Sequence, residues 1–65
     1  MKIRIQTIYN EDFIFQNYRN FTIKDNIIEF EGNFKPRQRY SVYYFNVEDI
    51  TGFWRKGLKP IKEIY

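Results

Sequence analysis

Acidic side chains occur as two adjacent pairs, Glu11-Asp12 and Glu48-Asp49, and carboxylates of this kind can serve in general acid–base chemistry or metal binding. Both pairs also have the composition of tight turns, where acidic residues lie in solvent, and we favour that interpretation. The one serine, Ser41, lies inside an apolar run, and the chain has no histidine that could act as its base. The sequence therefore predicts no catalytic residue.

Residue types that are absent from the sequence exclude several further kinds of chemistry. Without cysteine or histidine, the chain lacks disulfides, thiol chemistry and the common zinc sites. Glycine-rich phosphate loops and the serine-hydrolase and zinc-protease motifs are also absent from the sequence. We therefore predict a protein that is not an enzyme and that requires no metal or cofactor.

Basic residues are concentrated in two segments of the chain. Residues 34–40 carry +3 and residues 52–62 carry +4, with no acidic residue in either, so the rest of a chain of net charge +3 carries −4. Aromatic residues interleave with these charges. If both segments lie at one end of the fold, they form a basic-aromatic surface suited to an anionic partner. The residues that we expect to bind this partner are Phe34, Lys35, Arg37, Arg39, Tyr43, Trp54, Arg55, Lys56 and Lys59.

Two partners fit a basic-aromatic surface. The first is a host protein with an acidic or nucleic-acid-binding surface, since Trp, Tyr and Arg are typical anchors of protein interfaces. The alternative is single-stranded nucleic acid, whose phosphates would follow the basic residues while its bases stack on the rings. A third interpretation assigns no binding function to these rings and places most of them in the core, because a domain this small needs its large side chains inside.

The stretch that must organise the fold is 40–47, which is apolar or aromatic on both faces of a strand. Tyr40, Val42 and Tyr44 share one face, and Tyr43 and Phe45 share the other. This pattern predicts a central strand with one face in the core and the other covered. The C-terminal tail is the first candidate for that cover, a second copy of the chain is the next, and a partner is the third.

The remaining strands follow from the same alternation. Ile3, Ile5 and Thr7 predict a half-buried first strand, and a three-residue turn at 10–12 would place Tyr9 opposite Phe13. The pattern then continues through one strand that bends sharply at 17–20. The Asp25-Asn26 pair predicts a type I′ hairpin that places Ile23 opposite Ile28, since both residue types tolerate positive φ. Glu48-Asp49 predicts a tight turn before a short apolar strand.

These elements predict one small all-β domain over residues 1–65, an antiparallel meander of four to five strands with one strand strongly bent. The order resembles an SH3-like or Sm-like barrel over residues 2–54, and the resemblance implies a half-open barrel without implying a function. Residues 57–65 fit an irregular tail, a helical turn or a strand equally well. Self-association would help so small a chain, and a homodimer is therefore a further alternative.

The last expectations concern the localisation and the biological source of the protein. No apolar run is long enough to cross a bilayer, and the start of the chain alternates, so we expect a cytoplasmic protein without membrane contact. Residues with AT-rich codons are abundant, which suggests a phage or mobile element of an AT-rich host. We therefore predict an accessory protein that inhibits or modulates a host protein.

Overall fold

A computed structural model describes residues 2–55 and the backbone of residues 59–60. The all-β prediction is confirmed, with seven strands and one turn of 3-10 helix at Val47–Asp49 in this part of the chain. The strands are β1 (Ile3–Thr7), β2 (Asp12–Phe15), β3 (Asn17–Lys24), β4 (Ile27–Asn33), β5 (Ser41–Asn46), β6 (Ile50–Arg55) and β7 (Lys59–Pro60).

The strands form two antiparallel sheets. The first, called sheet A, has the order β2-β1-β6-β7, and the second, called sheet B, has the order β3-β4-β5. No ladder joins β5 to β6 within residues 2–55, so the described strands do not close into a barrel. The chain passes from sheet A to sheet B at Gln16, whose N–H donates to the Asn33 carbonyl at 2.8 Å, and returns to sheet A through the 3-10 turn at Val47–Asp49.

Alternation along β1 fixes which face of sheet A is buried. Ile3, Ile5 and Thr7 are buried, while Arg4 and Gln6 lie on the outer face, as predicted. The register of the first hairpin was predicted wrongly. Ile5 lies opposite Phe13, whereas the sequence placed Tyr9 there. A longer loop explains the difference: the Thr7 N–H donates to the Glu11 carbonyl at 3.0 Å, and Asn10 adopts a left-handed φ of 61°.

The predicted bent strand corresponds to β2 and β3, which are separated only by Gln16. A second irregularity lies within β3, where the register with β4 shifts between Arg19 and Thr22 and Asn20 has a φ of 55°. Such a bulge bends the strand and increases its twist. The break at Gln16, upstream of the bulge, lets the first half of the predicted strand pair in sheet A and the second half in sheet B.

The hairpin between β3 and β4 is the one that the sequence predicted most closely. Asp25 and Asn26 have φ values of 53° and 62°, as a type I′ turn requires, and Ile23 lies opposite Ile28. Because this turn matches the right-handed twist of the strands, it fixes the register of sheet B near its tip.

The strand predicted to be central is an edge strand. β5 pairs with β4 on one side and with no other strand within residues 2–55 and 59–60. Its inner residues Tyr43 and Phe45 pack on the core, but its outer residues Val42 and Tyr44 are 49% and 64% exposed. The prediction that the C-terminal tail covers this outer face concerns residues that lie almost wholly outside the described ones.

Aromatic rings connect the two sheets through the core. Phe15 from sheet A contacts Phe30 of β4 edge-on, with 4.9 Å between ring centroids, and Phe53 of β6 lies 5.6 Å from Phe21 of β3. This packing buries a continuous apolar cluster without cysteine or metal. Its fully buried members are Ile3, Ile5, Phe15, Ile28, Phe30, Ile50 and Phe53.

Candidate functional site

The first basic segment forms a well-ordered turn after β4, which we call the basic loop (residues 34–39). Asn33 is buried, and its side-chain amide donates to the Gln38 carbonyl at 2.9 Å. The Gln38 side chain in turn accepts from the Phe34 N–H at 3.0 Å, and the Gln38 N–H donates to the Lys35 carbonyl at 3.0 Å. These bonds fix the loop by its own polar groups, although it contains a proline and no regular structure.

One aromatic ring of the basic loop is both supported and accessible. Phe34 stacks on Phe15 with 4.5 Å between centroids and a 24° angle between planes, and Tyr43 approaches its edge at 5.6 Å. The residue nevertheless remains 37% exposed. A ring held on one face by the core and open on the other is pre-organised for contact, since little side-chain entropy is left to lose.

The cations beside this ring are unpaired. Lys35, Arg37 and Arg39 are exposed, and none of them forms an ion pair with a residue in the described part of the chain. The ion pairs found there involve Arg4 and Arg19 instead. The basic loop therefore carries three positive charges without an ion-pair partner among the described residues, within six residues that also include the partly exposed ring of Phe34.

Tyr43 has a different position from the one expected for a binding anchor. It lies on the inner face of β5, 4.8 Å from Phe15 and 6.0 Å from Phe30 between ring centroids, and is only half-exposed. Its contribution to the site is to support Phe34 from the side.

The second basic segment does not form one patch. Trp54 lies on the outer face of sheet A, where the Arg4 guanidinium covers its ring at 5.1 Å from the centroid. Arg55 lies opposite Ile3 on the inner face, with its guanidinium 5.0 Å from the centre of the Phe21 ring. A charge reversal at Arg55 would therefore change core packing as well as binding.

The other two predicted residues of this segment are described in part or not at all. Lys59 pairs with Arg55 in β7, and nothing further is described for its side chain. Lys56 lies outside the described residues. Within residues 2–55, no ring contact, hydrogen bond or ion pair joins the basic loop to Trp54 or Arg55.

Two ion pairs, Arg19 with Glu31 and Arg4 with Asp12, were missed by the sequence. Arg19 lies over the Tyr40 ring at 4.1 Å and donates to Glu31 at 2.6 Å, and this bond lowers the pKa of the Glu31 carboxyl. Arg4 likewise binds Asp12 through two hydrogen bonds of 3.0 and 2.7 Å, which lower the Asp12 pKa and raise that of Arg4. Cross-strand partners of this kind depend on register, which the sequence left open.

The acidic pair at 11–12 borders a polar groove of about 340 Å³ at the end of sheet A. Its carboxylates are engaged: Glu11 accepts from the Thr7 hydroxyl at 3.1 Å, and Asp12 is held by Arg4. No group of three potential metal ligands occurs among the described residues. Glu11 lies in the loop, but the interpretation of Asp12 as a turn residue is wrong, because Asp12 is the first residue of β2 and lies opposite Gln6.

Comparison with known proteins adds no functional information. No protein-family model matches the chain, and no curated protein or solved structure shows significant similarity to it. None of the helical turns in the described residues has the length and apolar character needed to cross a membrane.

Proposed function

We propose that the protein is a non-enzymatic binding protein that occupies a surface of another protein. The observation that carries this proposal is the basic loop, in which the supported ring of Phe34 and the cations Lys35, Arg37 and Arg39 belong to one short hydrogen-bonded turn. An acidic surface, or one that itself binds nucleic acid, is the electrostatic complement of this loop. The AT-rich residue usage supports an accessory role in a phage or mobile element, in which the chain inhibits or modulates a host protein.

A half-open SH3-like or Sm-like barrel is the architecture that we propose for this module. β1 lies between β6 and β2, β2 passes into β3 at Gln16, and a turn of 3-10 helix precedes β6. This order supports a barrel that is open between β5 and β6. The basic loop would then lie at one end of it, where connecting loops commonly carry binding residues.

Direct binding of single-stranded nucleic acid is the second candidate, and it is favoured by the cations of the same loop. It is the weaker one because stacking rings are scarce. Phe34 offers a single ring, worth about 1–3 kcal/mol per stacked base, and the ring of Trp54 is already covered by Arg4. Micromolar affinity needs about 8 kcal/mol, of which one ring supplies at most about 3 kcal/mol, so most of it would have to come from phosphate contacts that weaken as salt rises.

Affinity capture from a bacterial lysate tests the proposal, with Lys35→Glu/Arg37→Glu as the disabling variant. We expect the unmodified chain to retain a stoichiometric protein after nuclease treatment and the double variant to lose it. The matched control is Lys2→Glu/Lys24→Glu, which changes the net charge equally at two exposed lysines outside the loop. The control variant should retain the partner.

Two results would overturn the proposal. Capture that survives Lys35→Glu/Arg37→Glu would exclude the basic loop, and capture that disappears entirely with nuclease would favour nucleic acid. A titration with labelled single-stranded oligonucleotides identifies the second case. Three phosphate contacts predict a slope of about −2 for the logarithm of the binding constant against that of the salt concentration.

A further inference from the structure

Among residues 2–55 and 59–60, nothing pairs with the outer edge of β5, and the strand itself carries no protection against pairing. Natural sheets usually protect their edges with charged residues, proline, bulges or short strands, because an open row of N–H and C=O groups pairs with other strands. β5 contains neither a charged residue nor proline over Ser41–Asn46, and its register with β4 is continuous. A six-residue strand of this composition is a template for strand addition.

The other sheet edges in the described part of the chain carry such protection. β7 consists of Lys59 and Pro60, and β2 has only four residues and begins with Asp12. β3 contains Arg19 and Lys24 and is interrupted by a bulge. The contrast singles out β5 as the edge available for pairing.

The hydrogen-bond pattern shows which β5 residues face that edge. The Val47 N–H donates to the Asn26 carbonyl at 2.9 Å, in the same register that places Ile27 opposite Asn46. Because bonded and non-bonded pairs alternate along an antiparallel ladder, the odd-numbered residues of β5 bond to β4. Val42, Tyr44 and Asn46 therefore direct their backbone groups to the free edge.

We propose that a second copy of this chain occupies the edge, with the two β5 strands antiparallel about a two-fold axis at Tyr44. Tyr44 then lies opposite Tyr44 of the second copy, and Val42 lies opposite Asn46 of the second copy. Each such pair exchanges two N–H···O bonds. The result is one continuous six-stranded sheet, on whose outer face the two exposed tyrosines become neighbours.

Charge complementarity favours a second copy in this orientation. The chain is basic just before β5, at Arg39, and acidic just after it, at Glu48 and Asp49. Antiparallel pairing about Tyr44 brings the basic end of each copy to the acidic end of the other, twice per dimer. Parallel pairing would bring like charges together at both ends.

The proposal can be separated from the proposed function, because Phe34, Lys35 and Arg37 lie outside the paired strands and only Arg39 belongs to both. A two-fold contact of this kind is also closed: each copy uses its one unprotected edge, so assembly stops at the dimer. Pairing would add buried surface and hydrogen bonds to a chain of 65 residues that has no disulfide.

Sedimentation equilibrium over a range from micromolar to millimolar protein is the first test. We expect reversible association from 8.2 kDa to twice that mass. Tyr44→Lys places two ammonium groups opposite each other at the axis, and we expect it to raise the dimer dissociation constant by at least about tenfold. The matched control is Tyr9→Lys, since Tyr9 is 65% exposed and Tyr44 64%, and Tyr9 belongs to the first hairpin loop instead of β5.

A backbone variant separates loss of pairing from loss of folding. Val42→Pro removes an N–H that faces the free edge, so the ladder with β4 is kept, and proline is tolerated on the open side of an edge strand. We expect a folded chain by circular dichroism and a monomer by sedimentation equilibrium. A Val42→Pro variant that is folded and still dimeric would overturn the proposal, as would a wild-type chain that is monomeric up to millimolar concentration or that forms open-ended polymers.

Charge exchange tests the antiparallel orientation. Arg39→Glu and Glu48→Arg should each weaken the homodimer, because like charges then meet at both ends. An equimolar mixture of the two variants restores opposite charges at both ends and should form a heterodimer as tight as the wild-type dimer. A mixture that associates no better than either variant alone would overturn the orientation. Lys35→Glu/Arg37→Glu should still dimerise, which distinguishes this interface from the proposed binding site.

Discussion

Gly52 provides the space in which the Trp54 ring lies against the outer face of sheet A. A Cβ at position 52 would lie 2.3 Å from the Trp54 Cη2 atom and 2.6 Å from Cζ3, well inside van der Waals contact. Arg4 covers the other face of the ring. Tryptophan, arginine and the missing side chain thus act as one unit, which explains why Trp54 is half-buried on an outer face.

Replacing Gly52 with alanine should displace the Trp54 ring from the sheet. We expect the free energy of unfolding to fall by about 1–3 kcal/mol, as for other overpacked sites. We also expect the fluorescence of this single tryptophan to shift to longer wavelength, because the ring becomes more exposed. Urea unfolding followed by emission measures both, with Thr51→Ala at the neighbouring exposed position as the control. Unchanged emission and stability would show that the ring does not rest on Gly52.

The turn between β3 and β4 is the element in which backbone conformation depends most directly on residue type. Asn26 has a φ of 62°, and its carbonyl accepts from the Val47 N–H, so the turn also anchors the end of β5. A left-handed conformation costs most non-glycine residues about 1–2 kcal/mol, and asparagine is among the few that adopt it readily.

Two substitutions at this turn should have opposite effects. Asn26→Ala should lower the free energy of unfolding by about 1 kcal/mol, because alanine is strained at positive φ. Asn26→Gly should keep or raise the stability, because glycine is unstrained there and follows the preferred type I′ pattern. Urea midpoints of the two variants test this comparison directly. Equal midpoints would contradict the role of φ at this position.

Comparison of the two hairpins shows what the sequence determines at the scale of elements. The hairpin at 25–26 was predicted in register because its turn chemistry and its apolar pattern agree. The first hairpin has no such turn, and its predicted and observed registers differ by an even number of residues. An even shift keeps Ile5 and Phe13 on the buried face, so the apolar pattern cannot distinguish the two registers.

The candidate site likewise has features that the sequence could predict and features that it could not. The sequence predicted Phe34 and the cations of the basic loop, because composition and exposure are local properties. It did not predict that β5 would be an edge strand, since the neighbours of a strand depend on the whole topology. The separation of Trp54 from Arg55 was predictable, because adjacent residues of any strand point to opposite faces.

At the scale of the whole molecule, Phe30 is the residue that joins the two sheets. Its ring lies 4.9 Å from that of Phe15 in sheet A, and also contacts Phe21 of β3 and Phe45 of β5 at 6.1 Å each. The side chain is fully buried. Because one ring is shared by strands of both sheets, neither sheet keeps its buried face when that ring is lost.

Phe30→Ala should therefore unfold both sheets together. Removing a buried phenylalanine costs about 3–5 kcal/mol, which is about the total stability that a single core of this size supplies. We expect circular dichroism to show an unfolded chain at room temperature and amide exchange to show loss of protection in β1 and β4 alike. Phe34→Ala, which truncates a partly exposed ring of the same type, should remain folded. If the amides of β1 stayed protected in Phe30→Ala, sheet A would be stable on its own, and the two sheets would not form one cooperative unit.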